Sequence, residues 1–215
     1  SEKGLHEEAL EDFAKVLAID PSCARACLSR GREFLAMGNV PEAMAEVSRA
    51  IDGDPSYMEA YLQRGQLHQH TGNSDEAIAD FTRAIAISPA SAEAYLARGR
   101  EYGTRRKSEE AIVDFSRALE INPRLGEAYL FRAREFSRLG NNSRAVDDYS
   151  NALRLDPGAR DVYLARAAEY SRLGRSEEAV LDYTRVIGSH PADEAAYMGR
   201  GLEYEKLQKM DEAIA

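Results

Sequence analysis

The chain has 215 residues, of which 44% are hydrophobic, and 37 Asp and Glu outnumber 28 Lys and Arg for a formal charge of -9. This acidic balance disfavours a nucleic-acid partner or an anionic-membrane surface, because such surfaces neutralise phosphates with clustered basic residues. No run approaches the roughly 18 apolar residues that a bilayer span requires, and no apolar signal segment follows Ser1. We therefore expect a soluble, cytoplasmic protein with no membrane insertion.

An internal repeat of 34 residues runs through the chain. Six of the seven prolines lie 34 residues apart, namely Pro21, Pro55, Pro89, Pro123, Pro157 and Pro191. With this proline as position 32, the complete repeats 1 to 5 are residues 24–57, 58–91, 92–125, 126–159 and 160–193. Partial repeats, 1–23 and 194–215, flank them, so the sequence predicts one array over residues 1–215.

The first helix of each repeat is predicted from positions 4, 8 and 11, which share one helical face. Position 4 is Tyr in every repeat after the first, and position 11 is aromatic except at His68. Position 8 is always small: Gly31, Gly65, Gly99, Ala133, Ala167 and Gly201. We expect this face to be buried, with the small residue allowing a close approach of two helices.

A turn and a second helix are predicted next. Position 15 is Gly38, Gly72, Gly140 or Gly174, suited to the left-handed residue that ends a helix. At position 17, Ser74, Ser108 and Ser176 precede acidic pairs and are predicted to be N-caps. Alanine at position 20, with apolar residues at 24 and 27, forms the buried stripe of the second helix. In repeat 3 the turn is Arg105-Arg106-Lys107, either a docking patch or a solvated turn.

This pattern of Tyr, Gly, aromatic, Ala, aromatic, Ala and Pro at positions 4, 8, 11, 20, 24, 27 and 32 resembles the tetratricopeptide repeat family over the whole chain. The resemblance implies an all-α fold, a right-handed superhelical solenoid of antiparallel helix pairs. First helices would line a concave groove and second helices the convex side. Members that grip a C-terminal carboxylate have Lys at position 5, where this chain has Leu or Met, so we do not expect a carboxylate clamp.

An arginine ladder occupies position 7, where the family usually has Leu. Its members are Arg30, Arg64, Arg98, Arg132, Arg166 and Arg200. Position 23 on the adjacent second helix supplies an acid for each complete repeat, and position 10 supplies Glu within reach on the same helix. We predict structural ion pairs, with an anion-binding stripe as the alternative.

The candidate binding surface is the groove face of the first helices, at positions 2, 5, 9, 12 and 13 in the family's geometry. Position 5 is an apolar line and position 9 mostly basic, while acids at 2 and bases at 13 also suit the helix dipole without a ligand. The predicted partner-binding residues are Leu62, Gln66, Leu96, Arg100, Leu130, Arg134, Leu164, Arg138 and Arg172. The expected partner is a protein or peptide with apolar anchors and acidic residues, although the leucines could instead pack against neighbouring helices.

Catalytic and metal chemistry are not expected. The sequence shows no nucleophile with a base and no Gly-rich phosphate loop, so we expect neither an enzyme nor a cofactor. His68 and His70 point to opposite sides of a helix, and Cys23 and Cys27 are interpreted as small core residues rather than metal ligands. An adaptor that binds a peptide or helix is the leading hypothesis. Self-association through the array ends, or an activity elsewhere in a longer protein, is the alternative.

Overall fold

The structure is a computed structural model that describes the backbone of residues 2–214 and the side chains of residues 5–208. Within that part of the chain it contains twelve helices and no strand. The helices are α1 (Glu2–Ile19), α2 (Ala24–Ala36), α3 (Val40–Gly53), α4 (Met58–His70), α5 (Ser74–Ile87), α6 (Ala92–Thr104), α7 (Ser108–Ile121), α8 (Gly126–Arg138), α9 (Asn142–Leu155), α10 (Arg160–Arg172), α11 (Ser176–Ser189) and α12 (Glu194–Ile214).

Helices α2 to α11 follow the 34-residue register. The even-numbered helices span positions 1–13 and the odd-numbered helices span positions 17–30. The expected all-α fold of paired helices is therefore confirmed. The chain divides into two compact units, an N-terminal unit, Ser1–Glu101, and a C-terminal unit, Tyr102–Ala215.

The turn between paired helices depends on one left-handed residue at position 15. Gly38, Gly72, Gly140 and Gly174 have φ between 72° and 80°, and Arg106 has φ 58° at the same position of repeat 3. The next residue donates its backbone N–H to the carbonyl five residues earlier, as from Lys107 to Tyr102 at 2.9 Å. The Arg105-Arg106-Lys107 segment is thus the same turn built without glycine, at the cost of a strained arginine.

Each second helix ends two residues before the repeat's proline, and the residue directly before the proline is no longer helical. Asp54, Asn122 and Asp156 have extended φ and ψ angles, because the proline ring disfavours a helical conformation at the preceding residue. Their side chains accept the backbone N–H two residues later, as from Ser56 to Asp54 at 2.9 Å. The residue at position 31 therefore closes the loop to the next repeat.

The interior of each unit follows the predicted stripes. Every alanine at position 20 from Ala43 to Ala179 is fully buried. A Cβ atom added to Gly65 would lie 2.5 Å from Cε1 of Phe81, at position 24 of the same repeat. The small residue at position 8 is therefore required by the aromatic ring on the facing helix. Cys27 is buried and Cys23 packs against the same apolar cluster, as expected of core residues.

The position 7 arginines form the predicted ion pairs. Arg132 donates Nε and Nη2 to the two carboxylate oxygens of Asp148 at 2.7 and 2.8 Å, and its Nη1 to Ser116 Oγ in the preceding repeat at 2.9 Å. The pairs Arg30–Glu46, Arg64–Asp80 and Arg166–Asp182 are also bidentate. The hydrogen bonds to Asp148 raise the pKa of Arg132. The structural interpretation of the ladder is thus confirmed at these four arginines.

Helix α12 departs from the register because it continues past position 13 to Ile214 without a turn. Position 15 is Gln208, and both Leu207 and Gln208 are good helix formers. None of the helices in the described part of the chain combines the length and the apolar composition of a bilayer span.

Candidate interaction surface

We define the first-helix face as positions 2, 5, 9, 12 and 13 of the even-numbered helices. Side chains at positions 2 and 13 are exposed in every complete repeat, and those at position 9 are exposed or half-buried. Position 5 varies along the chain: it is buried at Leu28, Leu62 and Leu96, and half-buried at Leu130 and Leu164. The two units therefore offer different surfaces to a partner.

In the N-terminal unit, the apolar line expected on the surface lies mostly in the core. Leu62 and Leu96 expose only 7% and 8% of their surface. These leucines therefore pack against neighbouring helices, which was the alternative to a place on the binding surface. Gln66 is half-buried, and its Nε2 donates to Glu93 on the next first helix at 3.3 Å. Arg100 is exposed. The polar residues, rather than the leucines, supply the accessible surface of this unit.

In the C-terminal unit, apolar and basic groups share the first-helix face. Leu130 and Leu164 are half-buried, and each packs on the edge of an apolar cluster. The exposed guanidinium of Arg134 lies over the ring of Phe131, with Cζ 5.7 Å from the ring centroid. A cation held over an aromatic face is partly ordered before any ligand arrives.

Arg138 and Arg172 are held at the end of their helices by bonds to two repeats. Nη1 of Arg138 donates to Glu135 Oε2 at 2.8 Å and to the carbonyl of Gly103 at 2.9 Å. Nη1 of Arg172 donates to Glu169 and, at 3.2 Å, to Ser137 Oγ. The two arginine side chains remain 45% and 54% exposed. Since a guanidinium has five N–H donors, each can still bind a carboxylate from outside.

In the C-terminal unit, the glutamates at position 10 are buried and bind across the junction between repeats. Glu135, Glu169 and Glu203 expose 5% or less. Ser108 Oγ donates to Glu135 at 2.7 Å, and Ser176 Oγ donates to Glu203 at 2.7 Å. In the described bonds these glutamates pair with position 13 rather than with the position 7 arginines, because those arginines point to position 23.

The prediction that the serines at position 17 are N-caps is wrong. Ser74, Ser108 and Ser176 are the first helical residues, and none of the three helices has a side-chain hydrogen bond at its N-cap. The hydroxyls of Ser108 and Ser176 face glutamates 27 residues later in the chain. A buried carboxylate is a stronger acceptor for a hydroxyl than the alternatives available at a solvated helix end.

Glu203 illustrates the electrostatics of the junction. Burial by itself raises the pKa of this carboxyl, but hydrogen bonds from Lys206, Ser171 and Ser176 outweigh burial and hold the pKa below its ordinary value of 4.5. Lys206 Nζ donates to Glu203 and to Ser171 Oγ, both at 2.7 Å. The carboxylate is therefore charged at neutral pH and fixes a lysine on the first-helix face.

Two pockets of the C-terminal unit include residues of the first-helix face. A pocket of about 490 Å³ between α10 and α12 is lined by basic, acidic and apolar side chains, including Arg172, Leu202, Glu203, Glu205 and Lys206, and by Tyr183 of α11. A second, of about 340 Å³, is lined by Leu130 on α8, Leu155 on α9 and Val162 on α10. Each thus contains one predicted residue, Arg172 or Leu130.

The pocket residues that sequence reasoning missed come from outside the predicted face. Tyr183 belongs to the buried stripe of a second helix, and Leu155 is the last residue of α9. A face defined on the first helices alone cannot contain them. The repetition of positions 9 and 13 along the chain could, however, have indicated Leu202 and Lys206, which occupy these positions on α12.

Within the described residues, no group of three or more His, Cys, Asp or Glu side chains is arranged to hold a metal ion.

Solved structures with similar folds share low sequence identity with this chain. YrrB, described as a tetratricopeptide repeat protein with an unusual peptide-binding site, has a TM-score of 0.78 at 19% identity, over 89% of this chain and 99% of that one. PilF of Pseudomonas aeruginosa has a TM-score of 0.76 at 18% identity, over 97% and 91%. MamA has a TM-score of 0.71 at 22% identity, over 75% and 94%. No curated protein sequence matches the chain.

Family models identify the repeat itself. One model described as a tetratricopeptide repeat matches residues 28–92 and 164–215, and a second of the same description matches residues 92–125 and 126–158. These matches cover most of the chain, in agreement with the paired helices and the 34-residue register. The chain belongs to the tetratricopeptide repeat family.

Proposed function

We propose that this chain is a non-enzymatic interaction module that binds a peptide or helical segment on the first-helix face, with the C-terminal unit as the main contact. Tetratricopeptide repeat proteins generally mediate protein–protein interaction, and no enzyme family matches the chain. The observation that carries the proposal is the pocket of about 490 Å³, where the basic groups of Arg172 and Lys206 stand beside the apolar side chain of Leu202.

The partner's chemistry follows from these groups. An apolar side chain of the partner would enter a pocket, and a neighbouring carboxylate would bind a guanidinium of Arg134, Arg138 or Arg172. The basic side chains are already ordered by Phe131, Glu135 and Glu169, which lowers the entropy cost of binding. Leu164 would add to the apolar floor. In the N-terminal unit, Gln66 and Arg100 are the accessible predicted residues, whereas Leu62 and Leu96 support that unit's own face from below.

Selection of peptides from a displayed random library on the 215-residue chain tests this function. Selected peptides should be enriched in Asp or Glu next to a large apolar residue. The double variant Arg134→Glu and Arg172→Gln should weaken their dissociation constants at least about tenfold, because it removes two charge-assisted contacts. Glutamine at 172 keeps an N–H donor for Glu169.

Arg154→Glu is the matched control, since Arg154 is an exposed arginine on a second helix. It should leave the dissociation constants unchanged. Peptides that bind wild type and the double variant equally well, with unchanged thermal melting, would place the binding surface elsewhere.

A further inference from the structure

The turn of repeat 3 carries three basic residues in a chain whose formal charge is -9. Arg105, Arg106 and Lys107 are all exposed. In repeats 1, 2 and 4, the residues at positions 15 and 16 of the same turn are glycine and asparagine. Those three turns form without a charged side chain at either position, so the basic residues of repeat 3 are not needed to build the turn.

Arg106 holds a backbone conformation that its side chain disfavours. Its φ of 58° lies in the left-handed region, where the glycines at position 15 of four other repeats have φ between 72° and 80°. The Arg106 guanidinium forms no hydrogen bond or ion pair with the described residues 5–208. No polar contact inside the described chain therefore offsets the strain, and backbone strain of this kind clusters at sites that bind a ligand.

Lys107 is ordered by an aromatic ring and has no counter-charge of its own. Its Nζ lies 5.8 Å from the ring centroid of Tyr102. In repeat 5, Arg175 at the same position pairs with Glu178 at 2.7 Å. Glu110 is the residue of repeat 3 that corresponds to Glu178, and the described ion pairs do not join it to Lys107. The ammonium group of Lys107 therefore stays available to a carboxylate from outside.

The first helix of repeat 4 adds a fourth cation to this turn. Nη1 of Arg138 donates to the carbonyl of Gly103 at 2.9 Å, two residues before Arg105. The same nitrogen donates to Glu135, and the arginine side chain is 45% exposed. Its other two nitrogens face outward from these bonds to the protein. Basic groups from two adjacent repeats of the C-terminal unit therefore meet at one junction.

The size of this cluster limits the ligand to a short acidic one. Nucleic acids bind to longer rows of basic residues, because affinity grows with the number of phosphates that are neutralised. Glu109 and Glu110 are exposed on the first turn of α7, directly after the basic residues, and would repel an extended polyanion. A few consecutive Asp or Glu side chains are enough to pair with four cations.

We propose that the basic turn, defined as Arg105, Arg106, Lys107 and Arg138, binds a short acidic segment of a partner protein. Arg138 is the one member that also belongs to the first-helix face. The contact does not require the pockets of that face, so it stands or falls separately from the proposed function.

Fluorescence anisotropy of a labelled hexaglutamate peptide tests this contact on the 215-residue chain, at roughly 0.1 M salt, where the Debye length is about 10 Å. The double variant Arg106→Gly and Lys107→Asn rebuilds the glycine–asparagine turn of repeats 1, 2 and 4. It should weaken the dissociation constant at least about tenfold, because two charge-assisted contacts are lost. The melting temperature should not fall, since glycine relieves the strain at position 15. Unfolding therefore cannot explain a loss of binding.

Two control pairs remove the same number of positive charges from other surfaces. Arg124→Gln with Arg154→Gln alters the loop after α7 and the exposed side of α9, and Arg134→Gln with Arg172→Gln alters the first-helix face. Each pair should change the dissociation constant less than about threefold, because salt screens charges that do not touch the peptide.

Three outcomes would overturn the proposal. The first is a wild-type chain that does not bind the peptide. The second is a control pair that weakens binding as much as the turn variant does, since binding would then follow net charge or the first-helix face. The third is a short DNA duplex that displaces the peptide and binds more tightly, because the turn would then accept polyanions in general.

Discussion

Position 10 of two repeats, one in each unit, is buried in opposite chemical surroundings. In the N-terminal unit it is Leu67 of repeat 2, which exposes 1%. Positions 12 and 17 of the preceding repeat are Leu35 and Val40, and both pack against the apolar cluster that contains Leu67. In the C-terminal unit it is Glu169 of repeat 5, which exposes 2%. The register therefore determines where the side chain lies but leaves its chemistry open.

The partners across the junction decide that chemistry. Ser137, at position 12, donates to Glu169 Oε1 at 2.7 Å, and Asn142, at position 17, lies with its amide nitrogen 3.2 Å from Oε2 when oriented to donate. Arg172 completes the group. Between these two repeats, positions 10, 12 and 17 thus change together from apolar to polar residues. Only the polar arrangement holds an arginine on the first-helix face. The polar version need not be the more stable one, because buried ion pairs are weak evidence for stability.

The strongest test moves the polar residue into the apolar junction. Leu67→Glu should lower the free energy of unfolding by about 3–5 kcal/mol, because the carboxylate would be buried among Leu35 and Val40 without donors. Urea denaturation measures this loss. Leu67→Met, which keeps size and apolar character, should cost less than about 1.5 kcal/mol.

Replacing the neighbours as well should recover part of that loss. With Leu35→Ser and Val40→Ser already present, adding Leu67→Glu should cost at least about 1 kcal/mol less than it does in wild type. Additive effects would show that the surroundings of position 10 do not act as a group.

Position 8 offers the same contrast with a smaller effect. Gly65→Ala should lower the free energy of unfolding by about 1–3 kcal/mol, because the new Cβ would lie 2.5 Å from the ring of Phe81. Gly201→Ala is the matched change at the same position, with no atom within 4 Å. It should raise the free energy of unfolding by up to about 1 kcal/mol, because alanine has a higher helix propensity than glycine. Equal effects of the two substitutions would mean that the ring of Phe81 moves aside at little cost in free energy.

Position 15 tests the backbone rather than the neighbours. Arg106→Gly should raise the free energy of unfolding by about 1 kcal/mol, because φ of 58° is strained for arginine and ordinary for glycine. Thermal melting measures the gain. Gly140→Ala, where no side-chain clash exists, should lose a similar amount. No gain at Arg106 would mean that its side chain contributes contacts equal to the strain.

The smallest expected effect is a change in how the free energy of unfolding depends on pH. The pKa of Glu203 is depressed in the folded chain, so its contribution to stability is complete above its ordinary value of 4.5 and is lost as the pH falls through the lower, folded value. Glu203→Gln should therefore be less stable than wild type at pH 7, with the difference shrinking below pH 4.5. Urea denaturation at several pH values measures it. A constant difference would contradict the depressed pKa.

Periodicity predicted most of the fold because each repeat buries the same positions. Helix pairs, buried alanines and the pairing of Arg132 with Asp148 all depend on spacing within one repeat. Spacing could not predict the role of Ser108, because its hydroxyl donates to Glu135 in the next repeat and does not cap its own helix. Nor could it distinguish buried Leu96 from half-buried Leu130, since both occupy position 5. The binding roles of the first-helix residues stay predictions, because they depend on a partner's chemistry.

The arginine ladder also bears on how the chain unfolds. Arg132 joins three helices, since it bonds to α9 in its own repeat and to α7 in the preceding one. A linear array is stabilised by interactions within repeats and between nearest neighbours, and this side chain contributes to both at once. Loss of one second helix leaves the arginine of its partner helix without its carboxylate and loosens the adjacent repeat. Fraying in native-state hydrogen exchange should accordingly proceed in steps of whole repeats rather than single helices.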